Sequence, residues 1–293
     1  MSAEPPTRAV YHEGERAVQR AAGLTQEADR VADIMGGRLS LTAQAFLSIA
    51  PCLALGAADG AGRLWASILY GPAGMVRASP GSLRIAAAPA AGDPIGPRAP
   101  GDHLGLLAMD FARRRRLRIN GRVRVWEPRS IELAVDRAYG NCPRYIQRRE
   151  LDTAALADRG SGPAGSVHPE LTEEQRELIM RSDTLFIASS HPGAGADVSH
   201  RGGPPGFLRV VGPRRVQLPD YEGNAMFNTL GNIWVNPRVG LALCDFRTGE
   251  TVQITGRAAI DHSPPAGVWD GQDVRRVLDI AVEQVVWTPG VPS

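Results

Sequence analysis

The densest chemistry-bearing segment of the chain is Ser199-His200-Arg201-Gly202-Gly203-Pro204-Pro205-Gly206-Phe207. Glycines let a ligand approach backbone N–H groups closely. The Arg201 guanidinium is a planar fork suited to phosphate, and His200 is the one candidate general base beside it. A second polar cluster runs from Asp220 to Asn232. In it Asn224, Asn228 and Asn232 recur every four residues, with Phe227 and Thr229 between them. On a helix that spacing makes one polar stripe. Asn and Thr are poor helix-interior residues, so the stripe is either a solvated face or a row of hydrogen-bonding groups for a ligand.

Other candidates carry less. Cys142 stands in Tyr139-Gly140-Asn141-Cys142-Pro143-Arg144-Tyr145-Ile146. A reactive thiol needs a nearby base or cation, and Arg144 is the only one close in sequence. The six histidines show no metal-ligand spacing, and His191 and His200 face each other only across a turn, so no metal is expected. Ser199, His200 and Asp245 could be drawn as a triad, but no nucleophile elbow supports it. There is neither a G-x-G-x-x-G nor a P-loop. Gly193-Ala194-Gly195 leads from strand to strand, not from strand to helix. The run Arg113-Arg114-Arg115-Arg116 reads as a solvated hairpin turn, because its counterpart in the repeat described next is Arg247-Thr248-Gly249-Glu250.

The elements that must position these residues are written twice. Gly105-Leu106-Leu107-Ala108-Met109-Asp110-Phe111, with Gly121-Arg122, recurs 135 positions later as Gly240-Leu241-Ala242-Leu243-Cys244-Asp245-Phe246, with Gly256-Arg257. Gly71-Pro72-Ala73-Gly74-Met75 recurs at an offset of 132 as Gly203-Pro204-Pro205-Gly206-Phe207. A repeat this long is a duplicated domain, not a solenoid unit. Each copy opens on a short helix, capped by Ser40 in one and by Thr172 with Gln175 in the other. About six short strands follow, from Cys52 or Thr184 onward, with turns at Asp59-Gly60-Ala61-Gly62 and Pro192-Gly193-Ala194-Gly195. Short strands with little helix favour a barrel over a doubly wound sheet. Residues 1–38 read as a helical extension, 39–151 as the first barrel, 152–170 as a linker and 171–293 as the second barrel. Residues 86–101 are an Ala/Pro/Gly-rich irregular stretch within copy one.

The 293 residues suffice for two domains, and 43% hydrophobic content supplies real cores. A net charge of +2 gives no reason to expect nucleic acid or an acidic membrane surface. Three cysteines without metal spacing suit a reducing compartment. With no signal-peptide pattern and no apolar run long enough to span a bilayer, the expectation is a cytoplasmic protein.

Taken together, the 197–207 segment, Gly223-Asn224 through Asn232, Asn236-Pro237-Arg238-Val239-Gly240-Leu241 and Thr255-Gly256-Arg257 resemble the pyridoxamine 5′-phosphate oxidase-related, FMN-binding proteins. Tyr139 through Ile146 resembles a G-N-C-P-[KR]-Y-I stretch of the same group. The resemblance implies a mainly β fold with flanking helices: two tandem six-stranded Greek-key split β-barrels. It further implies FMN held where two barrels meet, paired within one chain or between the chains of a homodimer. By position, Val198 and Ser199 would lie on the strand facing the flavin ring, beside His200 and Gly202, and Arg201 would be the phosphate cation. Asn228 and Thr229 stand where that family has Arg and Lys. The true oxidases' substrate-binding Arg and His have no clear match.

Three functions fit these expectations. The first is an FMN-dependent oxidoreductase acting on a small-molecule substrate, with a separate flavin or NAD(P)H reductase as partner because the chain has no nicotinamide fingerprint. The second is a non-catalytic barrel binding flavin, the deazaflavin F420 or haem for storage or sensing. The third is a ligand-free interaction module. Because only copy two has Ser199-His200-Arg201 and the Asn stripe, one site per chain is expected.

Overall fold

The computed structural model describes residues 10–140, 142–159, 165–262, 269 and 274–290. Asn141 and linker residues 160–164 lie outside the described residues. Helices α1 (Glu13–Ala22), α2 (Thr25–Arg30) and α3 (Leu41–Ile49) come first. The strands of copy one are β1 (Cys52–Ala58), β2 (Leu64–Tyr70), β3 (Val76–Ser79), β4 (Ser82–Ile85), β5 (His103–Asp110), β6 (Arg115–Glu127) and β7 (Ser130–Gly140). Between the copies lie α4 (Thr153–Arg159), β8 (Ser166–His168) and α5 (Glu173–Arg181). Copy two comprises β9 (Thr184–His191), β10 (Gly195–Gly202), β11 (Arg209–Gly212), β12 (Arg215–Pro219), α6 (Asn228–Val235), β13 (Arg238–Cys244), β14 (Thr251–Asp261) and β15 (Val277–Thr288).

The first sheet is ordered β2-β1-β5-β6-β7-β4-β3 and the second β10-β9-β13-β14-β15-β12-β11, the same order once β1–β7 is laid on β9–β15. All pairings are antiparallel. Both copies bulge at the closing Gly-Arg step, between Asn120 and Gly121 and between Thr255 and Gly256. The protein is therefore mainly β, with two barrels of one topology. Each copy has a seventh strand beyond the six read from sequence: β3 and β11 are four-residue edge strands, too short to show alternation. Within the stretch read as linker, β8 pairs with β15. The predicted caps form: Ser40 Oγ accepts from the Ala43 amide at 3.2 Å, and Thr172 and Gln175 make a reciprocal capping box.

Alternation along the strands explains how the barrels meet. Leu53, Leu55, Leu104 and Leu106 fill the first barrel, and Leu185, Ile187, Leu241 and Leu243 the second. The intervening side chains, Cys52, Ala54, Leu107, Met109, Phe186, Ala188, Val198 and Ala242, form a separate apolar seam between the barrels. Successive side chains of a strand point to opposite faces, so β1 and β9 are buried on both and read as nearly unbroken apolar runs. The seam is narrow. A Cβ on Gly105 would lie 2.7 Å from the Asp197 backbone, and one on Gly240 2.5 Å from the Trp65 backbone. The pairing of barrels is thus made within one chain.

The N-terminal extension precedes copy one in sequence but docks on copy two. Helix α1 packs on α6, where a Cβ on Gly14 would lie 2.2 Å from the Gly231 carbonyl oxygen. His12 caps α1: its Nδ1 accepts from the Gly14 and Glu15 amides at 3.2 and 3.4 Å, and its Nε2 meets Asn232 Oδ1 at 3.0 Å. The His12 ring stacks on His191, centroids 4.1 Å apart. Glu15 is 1% exposed and accepts from Asn228. Among the described residues no helix is long and apolar enough to cross a membrane.

Two outcomes are expected. Gly105→Ala forces the seam apart and costs about 1–3 kcal/mol by overpacking, read by urea unfolding, whereas Gly60→Ala, with no atom within 4 Å of the new methyl, does not. The second concerns acid. Burial and the neighbouring His191 push the His12 pKa down to about 4, from about 6.5 in an unfolded chain. Between these values the unfolded state takes up a proton that the docked helix refuses, so docking weakens as pH falls through that window. Glu15 acts in the opposite direction, because burial raises its pKa. The comparison is therefore with His12→Asn, which can cap without titrating. Hydrogen-exchange protection factors over residues 13–22, taken relative to the intrinsic rate at each pH, should fall from pH 7 to pH 5 more in the wild type than in this variant. An equal fall in both would contradict the assignment.

Candidate functional site

On one side of the seam a cavity of about 830 Å³ opens between the barrels. Copy two supplies Ser199, His200, Arg201 and Gly202 from β10, the loop after β12, and Asn228 and Thr229 from the first turn of α6. Copy one supplies Arg116 and Arg118 from β6 and Cys142, Arg144 and Tyr145 from the segment after β7. Leu24, Glu27, Arg30 and Val31 close it from the N-terminal extension.

Of the residues singled out in the sequence, Ser199, His200, Arg201, Gly202, Asn224, Phe227, Asn228 and Thr229 line this cavity. Val198 does not. Strand alternation turns it into the seam, where it is fully buried. Asn232 lies one turn further along α6 and is committed to Ser189 Oγ at 2.9 Å and to His12. The three-asparagine helical stripe is corrected to two. Ala225 and Phe227 adopt left-handed backbone (φ 60° and 58°), so the helix starts only at Asn228 and Asn224 sits in the loop, its Oδ1 accepting from the Met226 amide at 3.2 Å. The arginine run is corrected too. Arg113 and Arg114 form the turn, but Arg116 is already on β6 and reaches the cavity.

Arg118 crosses from barrel one to barrel two. It is 7% exposed, pairs with Asp197 at 3.3 Å, and donates to Tyr139 Oη at 2.9 Å, Asn228 Oδ1 at 3.2 Å and Ser199 Oγ. Burial works against its charge, but Asp197, Tyr139 and Glu15 outweigh burial and hold its pKa above the usual value. Ser199 Oγ also meets Thr229 Oγ1 at 2.8 Å. Arg201 and Arg276 share one carboxylate, Asp220, at 3.3 and 2.9 Å.

Arg116 differs from these. Among the described residues no carboxylate lies within ion-pair distance of it. Its Nη1 meets His200 Nδ1 at 3.0 Å and the His200 carbonyl oxygen at 3.4 Å. Burial, with repulsion from Arg118 and Arg201, brings its pKa down to about 10, so it stays charged at neutral pH. Burial and the same cationic surroundings push the His200 pKa well below the usual value. A neutral His200 whose Nδ1 lone pair is occupied by Arg116 is poorly placed to act as the general base considered above. Among the described residues the cavity therefore holds a partly buried uncompensated cation, Arg116, an exposed one, Arg275, and a two-cation, one-carboxylate set, an arrangement that favours a multiply charged anion. Tyr145, also left-handed at φ 65°, stacks on Tyr221 at 5.2 Å at the wall. Large flat side chains beside the cations suit an aromatic ligand.

The pseudo-symmetric position is closed. Gln253 stands where the repeat places Arg118, and Ser67 where it places Ser199. Gln253 Nε2 donates to the Ala66 carbonyl and Ser67 Oγ, both at 2.9 Å, and to Asp93 Oδ2 at 3.2 Å. Asp93 also takes the Ser67 hydroxyl at 2.7 Å and the Ile95 amide at 2.9 Å. The irregular stretch 86–101 thus replaces α6 and places its own carboxylate, its pKa raised by burial, where the live side presents Thr229.

Elsewhere, His12, Glu13 and His191 bring their ligand atoms within 4.8 Å of one another. Both Nδ1 atoms accept backbone amides, His191 Nε2 meets Glu13 at 2.9 Å and His12 Nε2 meets Asn232, so the cluster is already satisfied by hydrogen bonds. Nothing in the local sequence announced it, since His12 and Glu13 lie in the N-terminal extension and His191 in copy two.

Residues 171–285 match the model of the pyridoxamine 5′-phosphate oxidase family. No curated protein sequence matches the chain. Among solved structures, HupZ from Group A Streptococcus is 15% identical, with 42% of this chain and 99% of that one covered at a TM-score of 0.34. A FAD-binding protein from Mesorhizobium loti is 13% identical (42% and 96% covered, TM-score 0.30). HutZ, the haem storage protein from Vibrio cholerae, is 16% identical (41% and 96% covered, TM-score 0.28). The chain's likeness to the pyridoxamine 5′-phosphate oxidase family is thus carried by the second barrel, residues 171–285, whose strand order the first barrel repeats.

Proposed function

We propose that the inter-barrel cavity binds a phosphorylated flavin, FMN first among them, and that the protein is a flavin-dependent oxidoreductase acting on a small molecule. The observation that carries this reading is Arg116, a cation at the cavity wall with no carboxylate partner among the described residues. A volume of about 830 Å³ lies within the range of cofactor pockets. Arg116 and Arg201 would take the phosphate, and Ser199, Asn228 and Thr229 offer hydroxyl and amide groups to the polyol chain. The loss of the family's Arg and Lys at Asn228 and Thr229 is offset by Arg116 and Arg118, which arrive from the other barrel.

When bound, the flavin supplies the electron or hydride transfer. The chain's own residues bind it and orient it, and the Tyr145–Tyr221 wall limits access of water. His200 is held neutral and contributes no proton transfer. Electrons would come from a separate reductase. A flavin store would use the same cations, and the two readings part at turnover: an oxidoreductase cycles its bound flavin with a reductant and an acceptor.

Adding FMN to the purified protein should give a protein-bound flavin spectrum. Arg116→Ala should weaken FMN binding about 10- to 100-fold, as expected for a lost charge-assisted contact. A Soret band from bound haem in place of flavin, or FMN affinity unchanged in Arg116→Ala, would overturn the reading.

A further inference from the structure

His200 lies on β10 of copy two, 5% exposed, between the rings of Phe111 and Phe186 at 6.4 and 6.1 Å. Among the described residues its ring has one hydrogen-bonding partner, Arg116 Nη1, at 3.0 Å from Nδ1. A guanidinium has donors and no acceptor, so Nδ1 must accept, and in a neutral imidazole the proton then sits on Nε2. Among the described residues that Nε2 has no hydrogen-bond partner. A buried donor without a partner carries a desolvation cost, which has to be outweighed by what Nδ1 does. What Nδ1 does is fix a partly buried guanidinium of the cavity that, among the described residues, no carboxylate holds; the exposed Arg275 at the rim is the other. Arg118 is fixed by Asp197 and Arg201 by Asp220. A carboxylate beside Arg116 would cancel its charge, whereas a neutral nitrogen orients the guanidinium and leaves the charge for the ligand.

We propose that His200 is a positioning residue, a neutral Nε2–H imidazole whose Nδ1 holds the Arg116 guanidinium across the barrel seam and thereby sets the preference of the site for a phosphorylated over a phosphate-free ligand. The proposal rests on the flavin reading for its ligand, and its role is distinct from acid–base catalysis. Its partner comes from the other copy, so the pair exists only where the two barrels meet.

The test is a comparison of FMN and riboflavin, which differ by the phosphate alone, across the wild type and four variants. In Arg116→Ala the ratio of the two dissociation constants should collapse by about 10- to 100-fold. His200→Phe keeps the ring volume and removes the acceptor, and it should collapse the ratio by a similar factor. The double variant should be no worse than either single one. His200→Asn, whose amide oxygen can stand in for Nδ1, should restore most of the ratio. If His200→Phe weakens both ligands equally, or if the two substitutions are additive, His200 is only structural and the proposal fails. If the wild type binds neither flavin, the flavin reading falls by itself. Pyrophosphate then replaces the ligand pair, and equal weakening by the two single variants supports the positioning role while unequal weakening overturns it. Nitrogen-15 shifts of the His200 ring give a ligand-free check. An Nε2–H tautomer whose Nδ1 shift moves in Arg116→Ala agrees with the proposal, and an Nδ1–H or doubly protonated ring contradicts it.

Discussion

Everything at the site depends on Arg118 reaching across the seam. Its guanidinium touches Asp197 and Ser199 of β10, Tyr139 of its own barrel, and Asn228 at the start of α6. Asn228 in turn donates to Glu15, which fixes α1. One side chain thus ties both barrels, helix α6 at the cavity and the N-terminal extension. A buried cation with these partners tolerates no loss of its carboxylate, since removing one member of such a pair costs roughly 3–5 kcal/mol. The reach is short only because the seam is narrow, and it is narrow because Gly105 and Gly240 carry no Cβ against the opposing backbones.

The same geometry explains why two equivalent positions came to differ. Pseudo-symmetry gives the second position Ser67 and Gln253 in place of Ser199 and Arg118. Gln253 spans the seam as Arg118 does but brings no charge, and Asp93 fills the space with a carboxylate. An anionic ligand would meet repulsion there and attraction on the live side. One loop replacing one helix, and one Gln standing for one Arg, separates a closed position from an open cavity.

Much of this was legible in the chain. The duplicated glycine blocks announced two copies of one fold, and the caps at Ser40 and Thr172 stand as read. Ser199 through Gly202 were found as a polar-plus-glycine segment and do line the cavity. Other features were hidden for physical reasons. Arg116 looked like part of a turn and Arg118 drew no reading, because the residue that gives each its meaning, His200 or Asp197, lies some eighty positions away. Asn224 left the helix because two residues took left-handed backbone, which side-chain periodicity does not report. The docking of α1 on α6 rests on a glycine pair, Gly14 and Gly231, whose meeting no local pattern encodes.

The central claim is that a chain with two barrels offers one anion-holding cofactor site, on the Arg116 and Arg118 side of the seam. Its most direct test is the stoichiometry of FMN bound to protein freed of any co-purified ligand, by spectroscopic titration at concentrations well above the dissociation constant. The account predicts saturation at one FMN per chain. Saturation at two per chain, or binding that survives unchanged when both Arg116 and Arg201 are replaced by alanine, would contradict it.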